Sequence, residues 1–162
     1  MAGLHAGDVT RAARWVDESM HLKVVATLSA NETSAAVLAA ALIAAAPTGP
    51  SDSGAAALGG VALLSSVASW SEFGLSPRYD MTSYYSFVFG ALKHFDLPDM
   101  AAALRVPVLV AQPLDALHVP LNATRAAAAF TFAAAGNERV TVKVGGSAND
   151  VTQALLSWLA EA

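Results

Sequence analysis

Apolar residues recur along this chain at two spacings, and the spacings mark out alternating helices and strands. Between Asp8 and Glu18, Val9, Ala12, Ala13 and Val16 share one helical face. Arg11, Arg14 and Asp17 occupy the other, which predicts a short amphipathic helix with Asp8 as its N-cap. Residues 22–28 form a short β-branched run that suits a buried parallel strand. A polar turn at 29–33 leads into an Ala/Leu helix at 34–46, ended by Pro47-Thr48-Gly49-Pro50. A second strand is expected at 60–66, and an irregular aromatic stretch at 69–86. A short helix at 99–104 and a third strand at 106–111 follow. Next come a helix at 121–135, closed by Gly136-Asn137, and a fourth, alternating strand at 139–144. Asn149 or Asp150 is expected to cap a last helix whose core face carries Val151, Leu155, Trp158 and Leu159.

Alternation at this spacing predicts an α/β fold: about four parallel strands, flanked by helices on both faces. Right-handed crossovers would set sequential strands side by side. A length of 162 residues makes one domain, 1–162, the default. With 55% hydrophobic and 14% charged residues, the chain has the composition of a folded protein. A net charge of -4 without a basic patch argues against nucleic-acid binding. The absence of Cys excludes disulfides, a thiolate nucleophile and a Cys-type zinc site. Four scattered His, without H-x-x-x-H spacing, make a poor metal site, and no cofactor is implied. The charged N-terminus is unlike a signal peptide. The apolar run at 35–46 is too short for a bilayer, which takes roughly 20 residues, so no membrane contact is expected.

The chemistry concentrates at Val106-Pro107-Val108-Leu109-Val110-Ala111-Gln112-Pro113-Leu114-Asp115. A buried-strand run breaks at a Pro and an Asp follows, which sets Asp115 at the C-terminal edge of a sheet, where open α/β sheets build their sites. Together with the phrase Ala91-Leu92-Lys93-His94-Phe95-Asp96-Leu97-Pro98-Asp99, this unit resembles the C-terminal half of an α/β-hydrolase. The nearest sub-pattern is that of acetylxylan-esterase-like and dienelactone-hydrolase-like proteins, and the resemblance covers nearly the whole chain.

The resemblance implies a Ser-Asp-His triad with Asp115 at the acid position. Its nucleophile elbow, G-x-S-x-G between a strand and a helix, falls on Ser29-Ala30-Asn31-Glu32-Thr33. The nucleophile position is then Asn31, whose amide cannot attack an ester as Ser or Cys can. Shifted alignments would use Ser29 or Ser34. The histidine is expected after the fourth strand, but Gly145-Gly146-Ser147-Ala148-Asn149-Asp150 contains none. His118, three residues past Asp115, is the substitute on offer.

Three readings follow. The first is a truncated or catalytically degenerate relative of a carboxylic-ester hydrolase, with a site region of Asn31, Glu32, Asp115 and His118. The second is an active esterase of a small ester substrate, using Ser29 or Ser34 with Asp115 and His118. The third is a non-catalytic subunit that forms a homo-oligomer, or joins an N-terminal-half partner, through an open strand edge at 22–28.

Overall fold

The computed structural model describes residues 2–20, 24–28, 38, 58–79, 88 and 90–161. Four strands, β1 (Val24–Leu28), β2 (Leu58–Leu64), β3 (Val108–Ala111) and β4 (Val140–Lys143), form one sheet in sequential order. All three pairings are parallel. Val61, Val108 and Val140 stand level across the sheet, as do Leu63, Val110 and Val142. Every residue of β3 and all but Gly59 of β2 are buried, which explains why these strands read as unbroken apolar runs. Among the described residues, β1 pairs with β2 alone and β4 with β3 alone, so they are the two edges.

Side chains alternate between the two faces of the sheet. On one face, Val61, Leu63, Val108, Val110 and Val140 pack against three helices. These are α1 (Ala2–Met20), α3 (Leu97–Ala103) and α4 (Ala123–Gly136). They contribute Ala13, Leu97, Met100, Ala126 and Phe130. On the other face, Ala62, Leu64, Leu109 and Ala111 meet Trp158, Val151 and Leu155 of α5 (Ala148–Glu161). Trp158 sits so close to β2 that a Cβ on Gly60 would lie 2.7 Å from its Cη2, so any larger residue there would displace the indole. The chain is therefore mixed α/β, with a parallel sheet covered on both faces.

Several expected boundaries shift for local reasons. The first helix begins at Ala2, so Asp8 lies inside it and pairs with Arg11 one turn on, instead of capping it. Ala12 is exposed, and Thr10 takes a buried position between Val9 and Ala13. The stretch expected to be irregular contains a short helix, α2 (Ser71–Leu75). The α3 helix starts at Leu97, not 99, because Asp96 and Asp99 form a capping box with Pro98 in the first turn. The last helix is preceded by Ser147, not capped by Asn149 or Asp150; Asp150 reaches back from the first turn to the Ser147 N–H. Leu159 is 42% exposed and lies outside the core face. The expected helix at 34–46 lies outside the described residues except for Leu38, which is helical and fully buried in the larger core.

Candidate functional site

A parallel sheet carries all its strand C-termini on one edge, and here that edge is polar and conformationally unusual. Ser65 follows β2 with φ 48°, and Gln112 follows β3 with φ 54°. Gly145 and Gly146, beyond β4, have φ 79° and 110°. For Ser65 and Gln112 the left-handed region costs about 1–3 kcal/mol each. Gln112 also precedes Pro113, which further favours extended backbone. Its position is over-determined. The Gln112 N–H donates to the Lys143 carbonyl at 2.8 Å, and its Nε2 to the Gly146 carbonyl at 3.0 Å. Its Oε1 accepts from Ser65 Oγ at 3.2 Å. One amide thus ties together the ends of three strands.

Asp115 lies four residues past β3, as the sequence pattern required. Its Oδ1 accepts the N–H of Leu117 at 2.9 Å and of Val119 at 3.0 Å. Its own N–H donates to the Val119 carbonyl at 2.9 Å, so the residue closes its own loop. Its Oδ2 faces Arg125 Nη1 at 3.8 Å. His118 sits within the same loop at φ 61°, its N–H donating to the Asp115 carbonyl at 3.0 Å. Asp115 and His118 are thus brought together by backbone geometry. Ser29, Asn31, Glu32 and Ser34 lie outside the described residues.

Arg125, in the first turn of α4, donates from Nη2 to Glu72 Oε2 of α2 at 2.7 Å. Asn122 caps that helix, its Oδ1 accepting the Arg125 N–H at 2.9 Å, which fixes the base of the arginine. Two clefts of 420 Å³ each open on either side of the Glu72–Arg125 pair. One is walled by Leu75, Ser76, Pro77, Asp115 and Ala116. The other runs between Ser69, Ser71, Asp96 and Asp99 on one side and Ala128, Ala129 and Phe132 on the other. Residues 69–79, the described part of the aromatic stretch, both line the clefts and pack aromatics: Phe73 lies 6.1 Å from Tyr79, and Trp70 lies 6.1 Å from Phe95 of the later phrase.

Among the described residues, the carboxylate with the most hydrogen bonds is one that sequence reasoning did not select for a role. Asp96 accepts from Trp70 N–H at 2.7 Å, Ser71 N–H at 3.1 Å and Leu97 N–H at 2.6 Å, and also from Ser69 Oγ. Its own N–H donates to Asp99 Oδ2 at 2.7 Å. Ser71 Oγ, Ser69 Oγ and Asp96 form one continuous hydrogen-bonded chain. The Asp96-x-x-Asp99 spacing was the available signal, because it is a capping-box pattern. Nothing in the sequence signals the long-range partners Glu72 and Arg125. His94, within the same phrase, is exposed.

After β4 the Ser147 N–H and hydroxyl donate to Asp150 Oδ2, holding its carboxyl below the usual carboxylate range. Among the described residues, no three His, Asp or Glu side chains converge to hold a metal ion, and no helix is long and apolar enough to cross a membrane. Comparison with protein-family models, curated proteins and solved structures finds no match for the chain.

Proposed function

We propose that this chain is a catalytically degenerate α/β-hydrolase-related protein, descended from a carboxylic-ester hydrolase. The observation that carries the reading is the use made of Asp115. It occupies the loop past the third strand of a sequentially ordered parallel sheet, where the acid of a triad belongs, yet its Oδ1 is committed to the N–H groups of Leu117 and Val119. An acid in a triad must orient an imidazole and stabilise its cation. Here the segment after β4 carries Asp150 bound to Ser147, and no histidine. The arrangement of helices supports the same ancestry: α1, α3 and α4 share one face and, among the described residues, α5, following β4, packs on the other.

Purified protein is expected to hydrolyse a short-chain nitrophenyl ester no faster than its Asp115→Ala variant. Turnover that is lost in that variant would overturn the reading. It would favour instead an esterase using Ser29 or Ser34 with Asp115 and His118.

A further inference from the structure

Two helices of one layer each leave an aromatic side chain in solvent. Trp15 of α1 is 60% exposed and Phe132 of α4 is 66% exposed. Both helices cover the same face of the sheet, α1 against β1 and α4 against β4, so their outer sides look the same way.

The outer side of α4 is short of charge. After Arg125 the helix carries no charged side chain, and Ala127, Ala128, Thr131, Phe132 and Ala135 are all exposed. A helix face that meets only solvent is normally charged and polar. Beside Phe132 lies the cleft of 420 Å³, with Ala128 and Ala129 on the same wall. Glu72, Asp96 and Asp99 line it opposite. Arg125 neutralises Glu72, whereas Asp96 and Asp99 have no cationic partner among the described residues.

The outer side of α1 is the complement. Arg11, Arg14 and Trp15 are three and four residues apart, which sets two guanidinium groups beside one indole. Arg11 pairs with Asp8, and Arg14 has no carboxylate partner among the described residues. Trp, Phe and Arg are the residues enriched where proteins meet. The two helices lie over opposite edges of the sheet, so the match cannot be made within one chain. Two copies placed face to face about an axis along the strands would set each α1 against the other's α4. That contact closes on itself and is made twice.

We propose that this chain forms a two-fold homodimer in which Trp15 enters the cleft beside the partner's Phe132, with Arg14 facing the acidic wall. The interface uses neither the Asp115 loop nor strand pairing at 22–28, so it does not rest on the hydrolase ancestry.

The test is sedimentation velocity of the whole chain over a dilution series from about 0.1 mM. A monomer–dimer equilibrium is expected. Trp15→Ala and Phe132→Ala alter exposed side chains and should leave the circular dichroism and melting midpoint of the monomer unchanged. Each should weaken the dimer at least about tenfold, the scale of a lost aromatic anchor. Arg14→Glu should weaken it more at low salt than at high salt. Mixing the two alanine variants decides the pairing. Their mixed dimer regains one intact contact between Trp15 and Phe132, so the mixture should associate more tightly than either variant alone. The proposal is overturned if the parent stays monomeric, if any single variant dimerises as the parent does, or if mixing restores nothing. The last result would mean that α1 meets α1, or α4 meets α4.

Discussion

Asp96 and Asp115 are two loop carboxylates of the same chain that do opposite kinds of work. Asp115 bonds within its own loop, to N–H groups two and four residues away. Asp96 bonds to Ser69, Trp70 and Ser71, more than twenty residues back, while also capping α3. One sets a local turn; the other fastens the segment between β2 and α2 onto a helix. Asp115 is conspicuous in the sequence because it follows a strand. Asp96 looks like an ordinary cap. The contrast shows that a carboxylate's place after a strand says where it sits, and its long-range donors decide how much of the fold depends on it.

The largest expected effect comes from Asp96→Ala. Removing it takes the carboxylate from the Trp70 N–H and leaves Ser71 N–H and the buried Ser69 hydroxyl with only each other's residue, so urea unfolding should show a loss of about 3 kcal/mol. Asp115→Ala should cost about 1–2 kcal/mol in the same assay, because its donors are near the surface and can turn to water. If the two variants lost equal stability, the distinction between a local and a long-range carboxylate would collapse. Asp99→Ala removes half of the capping box and should cost about 1 kcal/mol, measurable as a modest drop in midpoint.

The smallest effect is a pH dependence. The folded-state pKa of Asp150 is depressed by its bonds from Ser147, so its contribution is present above the ordinary value of 3.8 and is lost as pH falls through the lower folded value. Asp150→Asn should therefore reduce Ser147 amide protection from hydrogen exchange near neutral pH, with the difference from the parent vanishing at strongly acidic pH. A difference that persisted there would assign the protection to something other than the carboxylate charge.

The fold was largely legible because its elements obey short periods. Val108–Ala111 and Leu58–Leu64 read as buried strands, and the level pairing of Val61, Val108 and Val140 follows from their alternation. Element ends were less legible. Asp8, expected as a cap, is an interior residue of a helix that begins at Ala2, and the α3 helix begins at Leu97 because Asp96 caps it. In the candidate site, the placement of Asp115 and His118 in one loop was readable from three residues of spacing. The Glu72–Arg125 pair spans 53 residues and was not.

The sequence by itself determined the alternation of helices and strands, the parallel order of the sheet and the position of Asp115 at its C-terminal edge. These follow from hydrophobic period and chain connectivity, which act over a few residues. Only the tertiary structure decided that Gln112 joins three strand ends, that Asp96 is a structural hub, and that Arg125 stands between Glu72 and Asp115 over a cleft. Those arrangements depend on directional bonds between segments far apart in the chain. No local pattern encodes the distance or orientation at which such segments meet.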